Sequence, residues 1–333
     1  DVPGLNMCIK SLVYRLIDFG FEPIGIRKGW EGLINYNHRN PTTYGANFIE
    51  LTKTMVRPID RTPGSFLHSS RINPMQVPRQ QVPEFLQEPD AEAQDLTKHV
   101  KEVVQQQGFE ALIVIGSNDT LREAAHFSQQ GVPIIAIPKT VHNNVYGTEY
   151  TLGFSTGLAR GVAFIHELRA LAGSREQIAV VETFGLKSGY SSLMVAFLSG
   201  ADRVIIPEVP YDPEKLAYLV VRDKSQNPNN YAIVIVSDGS RLVPEKIAEY
   251  TPHLSLRSRS EVLRLMTDEK AEALREEFDL AEVVEPGTSM AGSGMVAAEL
   301  LKYLTGQEVF LQSLNYLLRT GSPDGQDLLG AVN

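Results

Sequence analysis

The 333 residues carry 40 acidic against 31 basic side chains, a net charge of −9, which argues against a nucleic-acid-binding protein. With 43% hydrophobic and 21% charged residues, the composition is that of a globular chain with two domains or one large α/β unit. No apolar run reaches the roughly 18 residues of a membrane span, no secretory leader opens the sequence, and a single cysteine, Cys8, excludes an intrachain disulfide framework. A soluble, cytoplasmic protein is expected.

In chain order, apolar spacing predicts a helix over residues 5–21 (LNMCIKSLVYRLIDFGF), with Cys8 a buried, inert thiol, then a strand running into a turn over 22–30 (EPIGIRKGW). Residues 53–93 are rich in Pro, Arg and Gln and read as irregular. A helix is predicted over 90–107 (DAEAQDLTKHVKEVVQQQ) and a buried strand over 111–116 (ALIVIG). A helix follows over 119–131, ended by glycine and carrying His126 on its surface, and then the strand 133–139 (PIIAIPK). The alternation continues as helix 156–173, strand 177–185, helix 188–201, strand 202–210, helix 213–226 and strand 230–240. The charged stretch 245–279 reads as solvated helix. No internal repeat is present.

Continuous Val/Ile strands alternating with helices point to parallel sheets covered on both faces. Ligands in such folds gather in loops at the carboxyl ends of strands. Those loops are GSNDT (116–120), PKTVHNN (138–144), ETFGLKSG (182–189), PEVPYD (207–212) and VSDGSR (236–241). The first residues, Asp1-Val2-Pro3-Gly4, read as the middle of a turn whose feeding strand would lie upstream, and SPDGQDLLGAVN stops part-way into a helix.

Eight motifs occur in order along nearly the whole chain: DVPGLN, GWEGL, SFLHSSR, GSNDT, PKTVHNNVYGTEYTLGFSTG, ETFGLKSG, IPEVPYD and YLLRTGSP. Together they resemble the 6-phosphofructokinases. The resemblance implies two Rossmann-like parallel-sheet α/β domains: a donor-phosphate-side domain, 1–153 plus 320–333, and a sugar-phosphate-side domain, 154–319. It also implies phosphoryl transfer to fructose 6-phosphate with magnesium, glycolytic and cytoplasmic, in an oligomer whose site borrows basic residues from a neighbouring subunit.

The family has ATP-using and pyrophosphate-using branches. Asp119, Lys139, Tyr316 and the segment GSGMVAAELLKYLTG resemble the pyrophosphate branch, whose loops read GGDDT and PKTIDND. An acid at Asp119 repels a nucleotide α-phosphate, and Lys139 can hold a terminal phosphate as a point charge. Arg71, Arg319, Thr140 and Gly185 match family positions, as does Asp238 with one methylene fewer than the usual glutamate.

Departures concentrate where chemistry is expected. Asn118 stands for the acid that organises magnesium, His142 for the catalytic base, and Asn144 for the second acid of that motif. Gln177, Leu186 and Phe310 stand for three arginines. Magnesium binding is therefore expected to be weak or absent, since Asn118 and Asn144 offer only neutral oxygens.

Several residues keep two readings. His142 is either a reassigned base or a loop histidine without catalytic duty. Lys139, Arg71 and Arg319 either contact phosphate or form surface ion pairs, and Thr140 either contacts ligand or caps the turn. Asp238 contacts substrate or caps its own turn. Trp30 either faces the donor or anchors a Gly-rich turn. The expected function is a weakly active or inactive family subunit that binds a phosphorylated sugar or phosphate donor, in a homo- or hetero-oligomer. The alternative is an active phosphotransferase using His142 as base.

Overall fold

The computed structural model describes residues 1–266 and 292–333. The chain forms two compact units, Asp1–Thr156 with Arg319–Asn333, and Gly157–Leu318. In the first, the elements run α1 (Leu5–Asp18), β1 (Ile24–Ile26), α2 (Trp30–Asn35), α3 (Thr42–Asn47), β2 (Phe48–Glu50), α4 (Lys53–Val56), β3 (Val77–Pro78), β4 (Ala93–Gln94), α5 (Thr97–Gln106), β5 (Leu112–Gly116), α6 (Asn118–Gln129) and β6 (Ile134–Pro138). A last helix, Gly325–Val332, returns to this unit.

β5 and β6 pair in parallel, as their Val/Ile content and the intervening α6 lead one to expect. β1 instead pairs antiparallel with β2, and β3 with β4. Both antiparallel pairs are additions to the parallel sheets, and β2 and β4 are short strands that no hydrophobic period marks. The helix predicted from residue 90 begins at Thr97. Asp95 Oδ1 accepts the Thr97 N–H at 2.8 Å, and the residues before it are drawn into pairing, with Arg79 N–H donating to Glu92 O at 2.8 Å.

The core of this unit gathers Leu33, Ile34, Phe48, Val77, Val100 and Phe127. Burying each such side chain contributes about 1.5–3 kcal/mol. Cys8 is buried, and burial pushes its thiol up to about 11, so it is an inert packing group. His126 lies on the α6 face within 2.8 Å of Gln130.

The second unit contains α7 (Phe154–Arg175, whose first turn belongs to the first unit), β7 (Ile178–Thr183), α8 (Tyr190–Ser199), β8 (Arg203–Ile205), α9 (Pro213–Gln226), β9 (Ala232–Ser237), α10 (Pro244–Tyr250), α11 (Leu256–Leu265), the helix Ser293–Thr305 and β10 (Val309–Ser313). Its four strands lie in the order β10-β7-β9-β8, all parallel. Every residue of β7 and β9 is buried, which is why these strands read as unbroken apolar runs. Asp212 caps α9 by accepting the N–H groups of Glu214 and Lys215, with Pro213 in the first turn.

The stretch 245–279 is not one solvated helix. Its described part is broken after Tyr250 by a turn containing Pro252, and Ile247, Tyr250, Leu254 and Val262 pack with Val296 and Leu300. Residues 267–279 lie outside the described residues. No described helix is long and apolar enough to cross a membrane.

Candidate active site

Two strand-end loops of the first unit meet where β5 and β6 stop. Gly116 ends β5 because α6 starts so abruptly that a Cβ there would lie 2.3 Å from Thr120 Cβ. Lys139 N–H donates to Gly116 O at 2.9 Å, which continues the β5–β6 ladder into the second loop. Thr140 is buried, and its hydroxyl accepts the His142 N–H at 3.2 Å, so it caps the turn. Asn143 adopts a left-handed conformation (φ 48°), which Asn tolerates better than most residues. Its Oδ1 accepts the Thr151 N–H at 2.8 Å, and its amide donates to Glu149 O at 3.0 Å, closing the loop 143–151.

Cations converge on this loop. Lys139 is held below the ordinary lysine range, first by burial and then by Arg319 and Arg71. The pKa of His142 falls to about 4, first through burial and then through Arg319, so its imidazole is neutral at pH 7. Arg71 reaches this place through the SFLHSSR turn. There Phe66 N–H donates to Asn6 Oδ1 at 2.7 Å, and Ser70 Oγ donates to Lys28 O at 2.9 Å. Lys139, Arg71, Arg319, Thr140 and His142 are thus brought together.

The acidic and amide residues are arranged otherwise. Asp119 lies in the first turn of α6, where the helix dipole favours an anion, but its side chain is 83% exposed and pairs with Arg122 at 3.6 Å. Asn118 donates its amide to Asn144 O at 3.2 Å. Among the described residues no group of three or more His, Cys, Asp or Glu could hold a metal ion. These residues do not fit a resident magnesium ion, which takes hard, charged oxygen ligands. Trp30 is buried and stacked on Phe127 with ring centroids 4.8 Å apart. Its placement is that of a packing anchor and leaves the donor without an exposed ring face.

In the second unit, Gly185 follows β7 with φ 154°, and a Cβ would lie 1.9 Å from Ser237 Oγ. Its N–H donates to Asp238 Oδ1 at 2.8 Å, and Ser293 Oγ donates to the Asp238 carbonyl at 2.9 Å. Tyr316, about half exposed, stands edge-on to Phe184 at 6.2 Å. Leu186, at 49% exposure, lies in the same loop as Gly185. Gln177 and Phe310 do not. They sit at the amino ends of the neighbouring strands β7 and β10, where Phe310 pairs with Ala179. The six residues of β7 put about 20 Å between them and Gly185. Within one chain, Gln177 and Phe310 lie at the opposite ends of their strands from the Gly185–Asp238 loops.

Comparison with known proteins accounts for this arrangement of loops. The Phosphofructokinase family matches residues 1–333. The chain belongs to the phosphofructokinase family. Curated relatives include a pyrophosphate–fructose 6-phosphate 1-phosphotransferase of Dictyoglomus thermophilum, 36% identical over 242 residues, covering 73% of this chain and 62% of that protein. An ATP-dependent 6-phosphofructokinase of Persephonella marina is 34% identical over 240 residues, covering 72% and 66% respectively. The chain therefore spans under two thirds of the length of these relatives. Among solved structures, the pyrophosphate-dependent phosphofructokinase of Nitrosospira multiformis superposes with a TM-score of 0.70 at 15% identity, over 99% of this chain and 71% of that one. The phosphofructokinase of Saccharomyces cerevisiae gives 0.68 at 19% identity, over 100% and 39%. These two likenesses establish the phosphofructokinase fold, with its parallel sheets.

Several residues that brace the loops of each unit were not singled out from the sequence. Asn6 and Asn143 are loop staples inside recognised motifs, where neighbouring charged residues draw attention first. Glu182, 1% exposed, accepts the Gly294 N–H at 3.0 Å, and burial pushes its carboxyl up to about 7. Glu123 is buried beside Trp30, and burial again raises its carboxyl to about 7. Glu123 sits in the amphipathic pattern of α6 and Glu182 near the end of strand β7, and an acidic letter in either place gives no hint of burial.

Proposed function

We propose that this chain belongs to a phosphofructokinase-family protein that binds a phosphate-bearing ligand at Lys139, Arg71 and Arg319. It transfers a phosphoryl group weakly or not at all and works as a cytoplasmic subunit of a homo- or hetero-oligomer. The single observation that carries this reading is the cationic cluster set against a neutral imidazole at the place of the family's carboxylate base. Cations hold phosphate by charge and need no metal to do so. Transfer asks for more: a metal bridging the phosphates and a base that accepts the sugar hydroxyl proton. A carboxylate base goes from charged to neutral when it takes that proton. The His142 imidazole would go from neutral to cationic beside Arg319, against the local field.

Asp119 and Lys139 support pyrophosphate over a nucleotide as donor-side ligand, for the reasons of charge given above. Tyr316, Gly185 and Asp238 are the residues for the sugar side. The second reading, an active transferase with His142 as base, draws on one observation: the imidazole is unprotonated at neutral pH and so able to accept a proton. Calorimetric titration with pyrophosphate, alongside a coupled assay with fructose 6-phosphate, magnesium and either donor, separates the two. Binding without turnover is expected. Robust magnesium-dependent turnover supports the second reading, and no binding of any phosphate ligand removes the first.

A further inference from the structure

The returning segment 319–333 does two things in the first unit. It carries Arg319 to His142 and Lys139, and it buries Asp327 under the loop that precedes α7. Asp327 is 0% exposed, and its carboxylate gathers four donors. Its Oδ1 accepts the Gly153 N–H at 2.7 Å and the Tyr150 hydroxyl, and its Oδ2 accepts the Thr156 N–H at 2.9 Å and the Thr156 hydroxyl. Burial and Asp327 raise the pKa of Tyr150, which keeps its hydroxyl a donor. Asp324 completes the junction as the cap of the last helix. It accepts the Asp327 N–H at 2.9 Å and the Ser155 hydroxyl at 2.6 Å.

The far side of the same loop is fastened to the candidate site. Thr151 Oγ1 donates to Thr140 O at 2.8 Å, its N–H goes to Asn143 Oδ1, and Thr140 N–H donates to Leu152 O at 3.1 Å. Residues 150–153 therefore lie between a buried carboxylate and the loop that bears Lys139, Thr140 and His142. A fully engaged carboxylate in a dry place is a stiff fixture, because any movement leaves a charged oxygen without donors.

We propose that Asp327 is a positioning residue for the Lys139–Arg71–Arg319 cluster: through Thr151 it sets where the 139–144 loop stands relative to Arg319. The proposal rests on reading that cluster as an anion site. Substituting Asn presents an NH₂ group to two of the four donors, so the clip opens on one oxygen while shape is kept.

The test uses Asp327→Asn and Thr151→Val, with Asp223→Asn as a control that breaks the Arg203–Asp223 ion pair of the second unit. Three quantities are measured: thermal melting, the His142 imidazole resonances of ligand-free protein (assigned by their absence in His142→Gln), and the pyrophosphate Kd by calorimetry. Both site variants are expected to move the His142 resonances and to weaken pyrophosphate about tenfold, the size of one lost charge-assisted hydrogen bond. Asp223→Asn should lower the melting temperature and leave the other two readouts in place. His142 resonances and Kd unchanged in folded Asp327→Asn overturn the proposal. If that variant does not fold, the same result in Thr151→Val overturns it. Should the wild-type protein fail to take up pyrophosphate, the anion reading falls, and the His142 resonances alone decide the positioning role.

Discussion

The charge of Arg319 acts on His142 second only to burial, and the two together lower the imidazole to a pKa of about 4. The ordinary value is near 6.5, so the unfolded chain binds a proton there that the folded chain refuses. Stability is therefore complete above about pH 6.5 and falls as the pH drops toward 4, by an amount on the order of 3 kcal/mol. His142→Gln should flatten this acid limb in denaturant titrations at stepped pH. An unchanged slope would show that the imidazole is not held neutral.

Glu123 works in the opposite sense. Its folded carboxyl titrates near 7 against an ordinary value near 4.5, so the folded chain binds the extra proton, and the stability this gives is lost as pH rises from about 4.5 through 7. Glu182 runs the same way. Because Trp30 is the chain's only tryptophan and adjoins Glu123, its fluorescence should titrate with a midpoint about 7 and lose that transition in Glu123→Gln. Between pH 4.5 and 6.5 the histidine and glutamate terms have opposite signs, so His142→Gln and Glu123→Gln should change the slope of stability against pH in opposite directions.

Gly185→Ala places a methyl 1.9 Å from Ser237 Oγ on a backbone with φ 154°. The loop must shift, and with it the Gly185 N–H that Asp238 accepts. A loss of about 2–4 kcal/mol is expected in chemical denaturation. A change under 0.5 kcal/mol would mean that the loop relaxes freely.

The triple variant Asn118→Asp, His142→Asp, Asn144→Asp restores carboxylates where the family resemblance places them. Two charged oxygen ligands replace the Asn118–Asn144 hydrogen bond, and magnesium binding should tighten at least about tenfold by calorimetry. Turnover should recover only in part, with Gln177, Leu186 and Phe310 still in place. Unaltered magnesium affinity would show that residues 118 and 144 do not face one ion.

The sheets and their loops were legible because continuous Val/Ile runs and glycines mark where a buried strand stops and a helix begins. β2 escaped because a three-residue strand carries no measurable period, and its antiparallel pairing with β1 is set by a partner over twenty residues away. Lys139, Arg71 and Arg319 were read as candidates from motif order, and the structure adds that Arg71 and Arg319 act on Lys139 and that Arg319 also acts on His142. Asp327 could not be read at all. Its partners, Tyr150 to Thr156, lie about half the chain away, and nothing in SPDGQDLLGAVN tells a buried carboxylate from a solvated one.

The return of residues 319–333 to the first unit inverts the usual order of maturation during synthesis. Domains built from one continuous stretch fold as they emerge from the ribosome. The second unit, Gly157–Leu318, is such a stretch and can close before Arg319 is added. The first unit is translated earlier yet must wait, with Tyr150, Gly153 and Thr156 lacking their shared acceptor, until Asp327 arrives. A nascent chain thus lacks the carboxylate that fastens its 150–156 loop until the second unit has been synthesised.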